Sequence, residues 1–132
     1  MKKKIIVIED DPDQQALFEI WMEQLGYEVV GVYSEYRDAA QDLESHAVDV
    51  PDIFLIDQHY EGHTHLGTDI IAGFKQAREL KDRMYVLKSS VWIGPTERYP
   101  ADYFLHGPTL EKMAIILSYA SHGIEKEINK LE

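Results

Sequence analysis

The chain has 132 residues, no cysteine, and a net charge of −11 from 13 Lys and Arg against 24 Asp and Glu. That length suits one domain with a sizeable core, and the missing thiols exclude a disulfide framework and a cysteine-rich zinc site. Such acidity argues against nucleic acid as a direct partner, since phosphate affinity comes from clustered basic side chains.

The MKKK start leads into the short apolar run IIVI before Glu9, so no signal peptide is indicated. No stretch approaches membrane-spanning length, and a cytoplasmic protein without membrane contact is the expectation. KIIVI, residues 4–8, predicts a strand buried on both faces. Pro12 then opens a helix whose apolar stripe is read as Ala16, Leu17, Ile20, Trp21 and Leu25, with Gly26 as its stop. YEVVGVY reads as a second strand, and residues 35–46 as a second helix with Ala39, Ala40 and Leu43 inward. PDIFLID is the third strand. LGTDIIAGFKQAREL spaces Ile70, Ile71, Phe74, Ala77 and Leu80 by three and four, which predicts a third helix. MYVLKSS is a fourth strand. Pro95 and Pro100 then leave little room for regular helix, so the fourth helix is expected to be short or irregular. DYFLH is a fifth strand, and residues 109–132 predict a long terminal helix.

Strands alternating with helices imply a parallel sheet covered on both faces by right-handed crossovers. The expected fold is a flavodoxin-like α/β three-layer sandwich with five strands and about five helices. A single domain over residues 1–132, without an output domain, is expected.

Glu9, Asp10 and Asp57 fall at the carboxyl ends of predicted strands, where open α/β sheets bind ligands. Converging carboxylates repel and need a neutralising charge, and Mg²⁺ suits such an all-oxygen set. A different reading takes His59, His63 and His65 with Asp57 as a transition-metal site, although histidines in a loop are more often simply solvated.

In order and spacing, IIVIEDDPD, LGYEVVGVYS, PDIFLID, VLKSS and ADYFLHGP resemble the receiver domain of two-component response regulators, of the chemotaxis-receiver kind, over nearly the whole chain. The resemblance implies a strand order of 2-1-3-4-5. It implies that Asp57 is the phosphoacceptor and that Glu9, Asp10 and Asp57 hold Mg²⁺ with the backbone carbonyl of His59. Ser89 corresponds to the hydroxyl that bonds the phosphoryl group, and Phe104 to the aromatic switch. The implied partners are a histidine kinase or phosphotransfer protein upstream and a protein target downstream. The implied role is signalling, not enzymatic beyond self-catalysed phosphorylation and dephosphorylation. A phosphorylation-independent pseudo-receiver is the alternative.

Three features depart from the family. Gly107 stands where a lysine normally precedes the proline after the fifth strand. Lys88 and His106 flank the relevant positions, but alternation along a strand is read as turning both away, with Lys88 reaching solvent. The loop after Asp57 is longer and histidine-rich, which also invites a pH-sensitive reading. The segment from Val91 to Ala101 is short, which suggests a changed partner surface. Finally, Leu110, Leu117, Ile124 and Leu131 recur every seven residues, with Ala114 and Ile128 between, so homodimerisation through the terminal helix is an expectation weakened by Gly123.

Overall fold

The computed structural model describes residues 2–59 and 66–122. Elements alternate along the chain: β1 (Lys4–Ile8), α1 (Pro12–Gln24), β2 (Glu28–Tyr33), α2 (Tyr36–Glu44), β3 (Ile53–Asp57), α3 (Gly67–Phe74), β4 (Met84–Ser89), α4 (Pro95–Arg98), β5 (Tyr103–His106) and α5 (Leu110–Ser121). The five strands form one parallel sheet, as their alternation with helices predicts, in the order β2-β1-β3-β4-β5 that the resemblance implies. Among the described residues, no helix is long and apolar enough to cross a membrane.

Alternation along the central strands divides the core into two layers. Ile5, Val7, Ile53, Leu55, Val86 and Leu105 face α1 and α5, where they meet Phe18, Met22, Met113 and Leu117. Ile6, Ile8, Phe54, Ile56, Tyr85 and Leu87 face the other way, onto Ala39 and Leu43 of α2 and Ile70, Ile71 and Phe74 of α3. Each fully buried aliphatic side chain contributes about 1.5–3 kcal/mol through removal from water. Phe54 stacks between Phe74 and Tyr85, and the Tyr85 hydroxyl donates to the Leu80 carbonyl at 2.6 Å, so the polar tip of this buried ring is satisfied.

Three helical expectations need correction. In α1 the buried residues are Phe18 and Met22, with Trp21 and Leu25 partly buried against the same layer as expected, whereas Ala16 is exposed and Ile20 is 54% exposed. The helix carries apolar residues on more than one side, and the larger pair, Phe18 and Met22, fills the space over the sheet. The third helix ends at Phe74 and is eight residues long, and the chain continues through turns that still bury Leu80. In α5 the inward face is Met113, Leu117 and Ala120, at helical spacings of four and three, while Leu110 is exposed. Of the seam's described leucines, Leu117 lies on the packed face and Leu110 does not. Ile124, Ile128 and Leu131 lie outside the described residues. The fourth helix is a single turn of four residues, as its prolines imply.

The start of α3 is fixed by Gln58. Its backbone N–H donates to the Lys88 carbonyl, its carbonyl accepts from Gly67 N–H, and its buried side-chain oxygen accepts from Thr68 N–H. Gly67 is drawn so close to β3 that an added Cβ would collide with the carbonyl oxygen of Asp57. This is a steric requirement for glycine. Gly67→Ala is expected to lower unfolding stability by about 1–3 kcal/mol, as overpacking does, read as a reduced urea midpoint. Gly73→Ala in the same helix meets nothing within 4 Å and is expected to leave the midpoint unchanged or raise it.

Candidate functional site

β1 and β3 are neighbours, and their carboxyl ends carry the acidic residues to one edge of the sheet. Glu9 and Asp10 follow β1 directly. Asp11 then caps α1, its side chain accepting from Asp13 N–H at 2.9 Å, and Pro12 begins the helix. Acidic residues suit this position because the helix N-terminus carries partial positive charge. One oxygen from each of Glu9, Asp10 and Asp57 can be chosen such that all lie within 4.8 Å of one another. The three residues line an open cleft with His59, Trp21, Lys88, Ser90 and Gly107.

Lys88 also enters this site, contrary to the sequence expectation. Its residue is only 6% exposed, and its Nζ lies 2.7 Å from Glu9 Oε1 and 3.0 Å from Asp57 Oδ1. The Phe18 ring packs 5.3 Å beneath the ammonium. Alternation does separate Lys88 from Ser89, as expected, but the register pairs Lys88 with Asp57, and partners in a parallel ladder share a face. Thus it is the lysine that faces the acidic residues. Two signals in the sequence pointed to it: a lysine inside an otherwise apolar central strand must be paired if buried, and position 107 lacks a side chain. The register needed to connect them was not readable from either strand alone.

Ser89 is fully buried at the end of β4, and its hydroxyl accepts from Val91 N–H at 3.0 Å. The hydroxyl residue lining the cleft is Ser90. Phe104 is half-buried on β5, with the Arg98 guanidinium 4.3 Å from its ring centroid and 4.4 Å from that of Trp92. Arg98 also donates to the Ile93 carbonyl at 2.7 Å, so α4 holds Phe104 from the side. His59 is exposed at the cleft, whereas His63 and His65 lie outside the described residues. His106 is exposed and stacks near Phe104, and it does not line the cleft. Gly107 has φ +57°, a conformation in which a side chain carries a cost of about 1–2 kcal/mol. A lysine there is therefore not a neutral replacement. The nearby Lys112 bonds the His106 and Gly107 carbonyls.

Burial pushes the Glu9 and Asp57 carboxyls above their ordinary range, with the Lys88 ammonium opposing that shift. Burial also opposes the charge on Lys88, but its hydrogen bond to Glu9 and the charge of Asp57 outweigh this and hold it protonated. The donors offered to a cation are all carboxylate oxygens, a set that fits a hard divalent ion such as Mg²⁺. A raised carboxyl pKa in the folded chain contributes stability that is complete below the unfolded value and is lost as pH rises through the folded one. Asp57→Asn removes one such charge. In metal-free buffer its melting temperature is expected to exceed that of the wild type near pH 8, with the gap closing as the pH falls toward about 4. Melting curves of both proteins across this range test the sign.

No protein-family model and no curated protein matches the chain. Solved structures do. A response regulator receiver domain (CheY-like) from Methylobacillus flagellatus superposes with a TM-score of 0.77 at 17% identity, over 91% of this chain and 99% of that one. The BeF3-activated DrrB receiver domain gives 0.74 at 17% identity, covering 92% and 99%. The Mn²⁺-bound form of response regulator Rcp1 gives 0.70 at 18% identity, covering 89% and 92%. At these identities the likeness is one of fold, and the fold of this chain is that of a response-regulator receiver domain.

Proposed function

We propose that the protein is a receiver domain that accepts a phosphoryl group on Asp57 and signals through protein contacts. The observation that carries this reading is the convergence of Glu9, Asp10 and Asp57 at the carboxyl edge of a receiver-type sheet. The likeness to a BeF3-activated receiver and to a Mn²⁺-bound response regulator supports it.

Glu9, Asp10, Asp57 and the His59 carbonyl would hold Mg²⁺, which supplies charge neutralisation for the phosphoryl oxygens. An Asp57 oxygen attacks phosphorus and forms a new P–O bond, while the bond from phosphorus to the donor's nitrogen or oxygen breaks and its electron pair leaves with the donor. The product is an acyl phosphate. Positioning and electrostatics dominate such a transfer, because its transition state is loose. Burial of Asp57 at the base of the cleft keeps bulk water from one side of the reacting carboxylate. The candidate hydroxyl donors to a phosphoryl oxygen are Ser90, which lines the cleft, and Ser89, whose hydroxyl would first have to release Val91 N–H. Phe104 follows only if it parts from Arg98. The donor is a histidine kinase or phosphotransfer protein, and the recipient of the signal is another protein.

Incubation with acetyl phosphate and Mg²⁺ is expected to add one phosphoryl group per chain by intact-mass spectrometry, and Asp57→Asn is expected to abolish the addition. If wild-type mass stays unchanged at millimolar Mg²⁺, the phosphoacceptor reading is wrong, and a phosphorylation-independent binding module takes its place.

A further inference from the structure

Lys88 is built into the acidic cluster in a way that bears on how the site takes a metal. Its ammonium is shared between Glu9 Oε1 and Asp57 Oδ1, and the second oxygen of Glu9 accepts Asp11 N–H at 3.3 Å. Both oxygens of Glu9 are thus already engaged by donors from the chain itself. A carboxylate oxygen bonded to an ammonium at 2.7 Å is a weaker ligand for a divalent ion while the lysine stays, because the two cations repel. An ammonium has three N–H donors, and Glu9 and Asp57 account for two. The backbone leaves space for movement: Gly107 lines the same cleft without a side chain. Lys112, the other lysine nearby, is occupied with the carbonyls of His106 and Gly107.

We infer that Lys88 is a tethered cation that competes with divalent metal for Glu9 and, once displaced from it, becomes a ligand for the anion carried on Asp57. Metal binding and anion binding are thereby coupled through one side chain. Lys88 gives up Glu9 when a divalent ion takes that carboxylate, keeps its contact with Asp57, and gains a free donor for a phosphoryl oxygen. The ammonium that Gly107 cannot supply comes from β4, and its resting place is the metal's own carboxylate. This inference rests on the phosphoacceptor reading of Asp57, and it adds a residue that both weakens the metal and strengthens the anion.

The test uses Trp21, which lines the cleft, as a fluorescent reporter in a Trp92→Phe background. Lys88→Met is expected to bind Mg²⁺ about tenfold more tightly than its Lys88 parent, because a competing unit charge is gone. At saturating Mg²⁺ the same variant is expected to bind beryllofluoride about tenfold more weakly. Opposite shifts of the two affinities are the signature of the coupling. Unchanged or weakened Mg²⁺ affinity in Lys88→Met overturns it, as does undiminished beryllofluoride binding. Should Lys88→Met fail to fold, the wild type suffices: the ¹⁵Nζ resonance of Lys88 is expected to shift as Mg²⁺ is titrated, and a resonance that stays fixed through Mg²⁺ saturation overturns the competition. If the parent protein takes no beryllofluoride at any Mg²⁺ concentration, the phosphoacceptor reading itself fails, an outcome separable from both of these.

Discussion

The carboxyl edge of the sheet depends on one buried ion pair, in which the Lys88 ammonium is held between Glu9 and Asp57. Without a cation, two nearly buried carboxylates facing each other from adjacent strands would repel in a poorly solvating setting. The partners come from β1, β3 and β4, so the contact ties the centre of the sheet across three strands. Its energetic cost is evident in the raised carboxyl pKa values, which show that the lysine offsets burial only in part. A site of this kind is stable enough to persist and strained enough to welcome further positive charge.

The rest of the fold serves this edge. The two apolar layers fix the register of the strands, and the register alone decides that Lys88 and Asp57 share a face. A slip of one residue between β3 and β4 would turn Lys88 onto the face now held by Leu87, the apolar layer of Ile56 and Phe54, and away from Asp57. Hydrophobic packing thereby specifies the electrostatic arrangement at the sheet edge.

Much of this was legible in the residues. The aliphatic runs KIIVI, PDIFLID and MYVLKSS mark strands because two buried faces demand continuous apolar character, and their alternation with helices forces a parallel sheet. Glu9, Asp10 and Asp57 were legible as a group because strand ends of such a sheet meet along one edge. Two things were not. The stripe Ala16, Leu17, Ile20, Trp21 and Leu25 on α1 misses the buried pair Phe18 and Met22, since a helix apolar on several sides has no single phase until it meets its neighbour. The inward turn of Lys88 depended on inter-strand register, which no local pattern encodes. Gly107 was recognised as a missing charge, but where the charge had gone required the third dimension.

Gln58 has a consequence for the variability of the protein. Its backbone and side chain bind the residues on either side of the segment between β3 and α3, so that segment is closed at its base like a loop of cord drawn through a ring. Residues added beyond such a closure cost only a slowly growing loop entropy and exert little leverage on the strand that precedes it. The end of β3 and the start of α3 are thereby held together beside Asp57.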